Sequence, residues 1–329
     1  MLVMGVSVVV PVYNSEASLG ELIARLAPVL AQCCDAYEVI LVNDGSVDRS
    51  WERICQLLPQ YPWVCAINLM RNYGQHNALL CGIRTARHDI VVTMDDDLQN
   101  PPEEIPKLLA RLEEGYDVVY GTPQQEQHGL WRNFASRVTK MVLQTAMGSA
   151  TARSVSTFRA FRAITREAFA NYHGPYVSID VLLTWATTRF AAIKVLNAPR
   201  AVGPSNYTVG KLLRHAMNMM TGFSTLPLQV ASFLGFAFTL FGLAILLIVV
   251  LRYFFDGRSV PGFPFLASIL AIFSGVQLFS LGVIGEYLAR MHFRLMDQPP
   301  YTIRNLVKGA PQPAAMDRGN QEPDTSCQP

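Results

Sequence analysis

The sharpest chemical signal in this 329-residue chain is the run Met94-Asp95-Asp96-Asp97-Leu98-Gln99, directly after an apolar, β-branched stretch at residues 90–94. If the chain stays extended there, Asp95, Asp97 and Gln99 share one face. Three oxygen donors at the end of a strand suit a hard divalent cation, Mg2+ or Mn2+, of the kind that bridges to diphosphate oxygens. An acidic turn capping a strand has the same composition. The buried strand before the run and Asn100-Pro101-Pro102 behind it favour the metal reading. A second signal is Val42-Asn43-Asp44-Gly45-Ser46. A carboxylate at a strand end accepts hydrogen bonds from a base or a ribose. The same residues also compose an ordinary Asp-Gly turn, with Ser46 or Asp48 capping the helix that follows.

These residues need strands to carry them. Apolar runs at 5–10, 38–42, 64–69, 90–94 and 117–120 read as strands. Between them, Leu19, Leu22, Ile23, Leu26, Val29 and Leu30 recur at helical spacing, with Pro28 expected to weaken the end of that helix. Further helices are expected at 47–58, 75–87 and 103–114. Continuous apolar strands imply a sheet buried on both faces, and the alternation of strand and helix implies a doubly wound α/β domain. Ligands of such domains bind outside the carboxyl ends of the strands. Tyr13-Asn14, Asn43 to Ser46, Arg71 to Gly74 and Asp95 to Asp97 stand at four successive strand ends. Residues 121–210 are mixed and less readable.

Composition separates a soluble part from a membrane part. Half the residues are hydrophobic and 16% are charged, against about 25% in ordinary globular chains. The deficit lies in the C-terminal third. Residues 228–251 and 259–285 are charge-free over 24 and 27 positions, each long enough to span a bilayer, which takes about 20. Residues 211–227 are apolar with basic residues at one end and read as an interfacial amphipathic segment. Six basic residues flank the pair of spans (Lys211, Arg214, Arg290, Arg294, Arg304, Lys308), and two, Arg252 and Arg258, lie in the connector. The positive-inside rule then places both termini in the cytoplasm. The tail, 286–329, is expected to be cytoplasmic and disordered from Gly309. The apolar N-terminus lacks basic residues and a cleavage site, so it reads as a strand rather than a signal peptide. Six cysteines without metal-type spacing read as reduced thiols. A net charge of +2 argues against a nucleic-acid partner.

Taken in order, PVYN, VNDGS, RNYGQ, DDDLQNPPEEIP, RNFAS and FRAFR resemble family 2 glycosyltransferases. Within them the chain is similar to the polyprenyl-phosphate branch, which includes bactoprenol glucosyltransferases, dolichol-phosphate mannose synthases and the undecaprenyl-phosphate formamido-arabinose transferase. The resemblance covers the chain to about residue 210. It implies a GT-A type, Rossmann-like catalytic domain (1–210) followed by two transmembrane helices, hence a multi-pass protein of the inner (cytoplasmic) membrane with its catalytic domain in the cytoplasm. The activity implied is transfer of a sugar from a nucleotide-sugar donor, UDP-linked by default, to a polyprenyl phosphate acceptor, with Mg2+ or Mn2+ and with inversion. Pro11, Tyr13 and Asp44 match donor-binding positions. Asp95, Asp97 and Gln99 match the metal and diphosphate ligands, with Asp97 catalytic. Arg132 and Ser136 match residues that hold the acceptor phosphate, Arg132 also counting as catalytic. Arg200 and Ser205 match a donor loop whose usual Lys is Asn206 here. Ser15 stands where the family often has Glu. Asp180 is a candidate for the position where other family members keep a base. A processive polysaccharide synthase would carry a QxxRW element, which is absent, and a membrane scaffold would not need the metal face. A homo-oligomer through the spans is left open.

Overall fold

The computed structural model describes residues 5–123, 155–174, 177–197, 226–256, 262–296 and 298–309. The chain divides into two units, Met1–Tyr207 with Gln298–Pro329, and Thr208–Asp297.

The first unit is built on an eight-stranded sheet. Its elements are β1 (Val6–Val12), α1 (Leu19–Cys33), β2 (Tyr37–Asn43), α2 (Ser50–Leu57), β3 (Val64–Leu69), α3 (Gln75–Thr85), β4 (Ile90–Thr93), α4 (Ile105–Glu113), β5 (Val118–Pro123), β6 (Arg159–Arg162), α5 (Ile179–Ala186), β7 (Phe190–Val195) and β8 (Ile303–Lys308). The strand order is β7-β5-β6-β4-β1-β2-β3-β8. Strands β3, β2, β1 and β4 are parallel neighbours, so their carboxyl ends form one edge. Alternation along β1 explains the layering. Val6, Val8, Val10 and Val12 join a core shared with α1, α2 and α4. Val9 faces the other side, where α3 approaches so closely that a Cβ on Gly82 would lie 2.3 Å from Val9 Cγ1.

The helical stripe of α1 buries Leu19, Leu22, Ile23, Leu26 and Leu30. Pro28 does not end it, and the helix runs on to Cys33. Pro28 and Ala24, whose carbonyl loses its partner, are both exposed, so water satisfies that group. At the amino ends of the strands, buried Glu38 accepts from Ser7 Oγ at 2.8 Å and from Arg87 N and Nε at 2.8 and 2.9 Å. Those polar groups are consumed by the fold. The carboxyl ends are where polar groups face a cavity.

Three strands are additions to the sequence reading. β7 pairs parallel with β5. β6 lies antiparallel between β4 and β5. β8 returns from beyond the apolar helices to pair antiparallel with β3. Residues 303–308, expected in the tail, are therefore a sheet edge. Met70 N donates to Thr302 O at 3.0 Å, and Gly309 N to Val64 O at 2.9 Å, tying both ends of β3 to the returning segment.

The second unit holds α6 (Leu226–Asp256) and α7 (Phe263–Leu295). At 1.5 Å per residue they are about 46 and 50 Å long. Both are long and apolar enough to cross a membrane, over Leu228–Ile245 and Ile272–Ala289. Almost none of either window is buried, 6% and 0%, which soluble core helices would not show. The helices touch each other through Phe238 and Phe273, whose rings meet edge to face at 6.0 Å. The charge-free span ended at 285, yet α7 continues to Leu295. Glu286 ends the apolar run, but nothing breaks the helix before Pro299-Pro300.

Candidate active site

Four strand ends converge on a cavity of about 400 Å3, lined among others by Pro11, Tyr13, Asp44, Gly74, Asp95, Asp97 and Gln99. Every donor-site and metal-site residue named from the sequence that lies in the described residues therefore lines one cavity. Arg132, Ser136, Arg200 and Ser205 lie outside the described residues, as do residues 211–225.

Asp44 is 3% exposed at the end of β2. Its Oδ1 accepts from Tyr73 N at 2.7 Å and its Oδ2 from Gly74 N at 2.8 Å. Burial pushes its pKa up, and the two backbone N–H groups offset part of that. Each carboxylate oxygen keeps a second lone pair for a ligand. The next residue locks the geometry. Gly45 has φ +65°, and a Cβ there would lie 2.5 Å from Asn72 N. Gly45→Ala should therefore push the 71–74 loop off Asp44. We expect donor affinity to fall about 10-fold or more, since a displaced charge-assisted bond is worth about 1.5–3 kcal/mol. Calorimetric titration with the donor nucleotide checks this, and unchanged affinity would show that the loop adapts.

The acidic run does not stay extended. β4 stops at Thr93, and Leu98 adopts φ +60°. Gln99 N donates to Asp97 Oδ1 at 3.1 Å, closing a turn around the carboxylate. The alternation expected to turn Asp96 away is lost, and Asp96 lines the same cavity as its neighbours. Asp96 Oδ2 accepts from Tyr13 N at 3.3 Å and from Ser15 Oγ. Burial raises its pKa to about 6. The Ser15 and Tyr13 hydrogen bonds pull it down, and the charges of Asp95 and Asp97 push it up. Asp96 thus ties the acidic run to the loop that carries Tyr13, and Ser15, at the position where the family often has Glu, makes that tie. Tyr13 is left 48% exposed, with its ring available for contact.

Asp95 is bracketed by two residues the sequence did not single out for it. Gln75 Nε2 donates to Oδ1 and Thr157 Oγ1 to Oδ2, both at 2.6 Å. Their signal was invisible in sequence because Gln75 and Thr157 lie 20 and 62 positions away. Asp180 does not line the cavity. It pairs with Arg159, which is fully buried, and accepts from Tyr120 Oη at 3.2 Å. His76 Nδ1 accepts from Ile179 N at 3.4 Å, an ordinary structural contact.

A mixed α/β sheet whose parallel strands β3, β2, β1 and β4 end at a carboxylate-lined cavity has the architecture of a GT-A type transferase. Comparison with known proteins defines the class. Residues 7–172 match glycosyl transferase family 2. The chain is 38% identical over 331 residues to the undecaprenyl-phosphate 4-deoxy-4-formamido-L-arabinose transferase of Pseudomonas aeruginosa, covering 97% of each chain. It is 37% identical over 310 residues to the protein of that name from Serratia proteamaculans, covering 93% of this chain and 95% of the other. Among solved structures, glucosyl-3-phosphoglycerate synthase of Mycobacterium tuberculosis, in complex with Mn2+, UDP and glucosyl-3-phosphoglycerate, is similar at a TM-score of 0.52 and 20% identity, covering 67% of this chain and 79% of that one. This likeness speaks for the fold. The chain belongs to glycosyl transferase family 2 and is a glycosyltransferase.

Proposed function

We propose that the protein transfers a sugar from a UDP-linked donor to undecaprenyl phosphate, at the cytoplasmic face of the membrane that its two apolar helices span. The observation that carries this reading is similarity over 97% of both chains to a transferase named for that acceptor. A match so long covers the catalytic sheet and both apolar helices alike. The relatives' names also supply the sugar to try first, 4-deoxy-4-formamido-L-arabinose.

The cavity fits a hard divalent cation. Asp95, Asp97 and Gln99, which line it, offer two carboxylates and an amide oxygen. No group of three His, Cys, Asp or Glu able to hold a metal forms among the described residues, so a cation held by Asp95, Asp97 and Gln99 would need further oxygen ligands from outside the protein, as Mg2+ sites commonly do. When bound, the cation supplies Lewis-acid stabilisation of the charge that builds on the departing diphosphate. Asp44, Tyr13 and Pro11, which line the cavity, are assigned to the donor nucleoside, and Arg200 and Ser205 to the donor as well. Arg132 and Ser136 are assigned to the acceptor phosphate, as one cation and one hydroxyl donor.

An oxygen of the acceptor phosphate attacks the anomeric carbon, the bond from that carbon to the diphosphate oxygen breaks, and configuration inverts. A phosphate monoester with a second pKa of about 6 is mostly ionised at neutral pH. It therefore requires no general base, in keeping with an Asp180 already paired to Arg159.

The direct test incubates full-length enzyme in nanodiscs with undecaprenyl phosphate and a panel of UDP-sugars, with and without EDTA, and reads the lipid by mass spectrometry. A lipid-linked sugar formed only without EDTA supports the reading. Hydrolysis of the donor with no lipid product overturns it. Arg132→Ala should lower transfer about 10- to 100-fold, the loss of a hydrogen-bonded charge worth about 1.5–3 kcal/mol, with donor affinity unchanged. If donor affinity falls equally, Arg132 belongs to the donor site.

A further inference from the structure

The residues just before β6 reach the cavity because β6 runs back along β4, pairing Arg159 with Thr93. That register sets residues 155–158 beside the carboxyl end of β4. There Thr157 is fixed twice. Its main-chain carbonyl accepts from Thr93 Oγ1 at 2.7 Å, and its own hydroxyl donates to Asp95 Oδ2 at 2.6 Å. Thr93 is fully buried, and its hydroxyl oxygen in turn accepts from Arg159 Nε at 3.0 Å. Arg159 is held by Asp180. The chain of bonds thus runs from an ion pair in the core to one oxygen of the cavity carboxylate. Gln75 Nε2 holds the other oxygen at 2.6 Å.

We propose that Thr157 is a positioning residue for the cation site, fixing the carboxylate plane of Asp95 in the orientation that the cation meets. The inference rests on the reading that Asp95 and Asp97 bind that cation. The chemistry is that of outer-sphere support. A carboxylate free to rotate loses side-chain entropy when it binds a metal, and one already held by two donors does not. The Thr157 bond of 2.6 Å lies in the range of a hydroxyl donating to a charged carboxylate. A hydroxyl is required at this position, because a methyl of the same size leaves Oδ2 without its donor.

The experiment measures Mn2+ binding by electron paramagnetic resonance on the full-length enzyme in nanodiscs, beside the thermal unfolding midpoint. Thr157→Val should weaken Mn2+ binding about 10-fold or more, the usual cost of losing an outer-shell partner, at an unchanged midpoint. Thr157→Ser, which keeps the hydroxyl, should stay within about twofold of wild type. The inference is overturned if Thr157→Val lowers the midpoint but binds Mn2+ normally, a merely structural role. It is equally overturned if only the donor KM rises, a direct donor contact. Asp97→Asn run in parallel separates the two levels. If wild type binds Mn2+ and Asp97→Asn does not, a normal Thr157→Val sinks the positioning role alone. If Asp97→Asn binds as wild type does, the cation assignment falls, and the role of Thr157 falls with it.

Discussion

Asp97→Asn is expected to cut transfer about 100-fold or more, even at saturating Mn2+ or Mg2+, while the unfolding midpoint stays where it is. The substitution is close to isosteric, and the hydrogen bond that the turn needs, from Gln99 N to Asp97 Oδ1, survives, because an Asn oxygen accepts in the same place. What disappears is one unit of negative charge facing the cavity. A neutral amide binds a hard cation poorly, and stabilisation of a departing diphosphate is worth several kcal/mol, about tenfold per 1.4 kcal/mol. Asp96→Asn provides the contrast. Asp96 is occupied by Tyr13 N and Ser15 Oγ, so its loss should loosen the Tyr13 loop and raise donor KM more than it lowers the maximal rate. Titrating each variant with metal and with donor separates them. Near wild-type turnover in Asp97→Asn would remove it from the cation site. A larger loss of maximal rate in Asp96→Asn would move the assignment to its neighbour.

How far the sequence revealed this molecule depends on whether each signal is local. β1 to β5 and α1 to α4 were legible because a strand buried on both faces is a continuous apolar run and a helix against a sheet is a stripe. The convergence of Tyr13, Asp44 and Asp95 to Gln99 followed from the rule that parallel strands present their carboxyl ends together. β6 was not legible. Its sequence is Arg-Ala-Phe-Arg, and a fully buried arginine makes sense only beside Asp180, 21 residues on. β8 was hidden for another reason. Ile303 to Lys308 reads Ile-Arg-Asn-Leu-Val-Lys, without apolar–polar alternation, and it becomes a strand because the chain comes back to β3 after two long helices. The acidic run was misread in one respect. Composition placed it at a strand end correctly, but the left-handed Leu98 cannot be inferred from a residue type that rarely adopts that conformation. The twin supports of Asp95 required the register of β4 with β6, which is tertiary information.

The same buried pair gives the second large effect. Asp180→Ala should lower the unfolding midpoint by about 10 °C, because removing one partner of a buried ion pair costs about 3–5 kcal/mol, and each kcal/mol moves the midpoint of a unit this size by about 2–4 °C. The cost falls on Arg159, which is 0% exposed. Its Nε has Thr93 and its Nη1 has Asp180, while Nη2 is buried with no hydrogen-bond partner. The guanidinium is already under-satisfied, so without the carboxylate it is a charge in the core that no water reaches. A general base would behave otherwise. Its loss would leave the midpoint alone and abolish the acidic limb of the pH–rate profile, and that result would overturn the structural role. Replacing both partners by apolar residues, Arg159→Met with Asp180→Leu, distinguishes lost charge balance from lost packing. Paired removal of a buried salt bridge is often neutral, so the double variant should melt above the single one. Its transfer rate then reports how much of the alignment of Thr93, Thr157 and Asp95 depended on the arginine rather than on the strand register that brings them together.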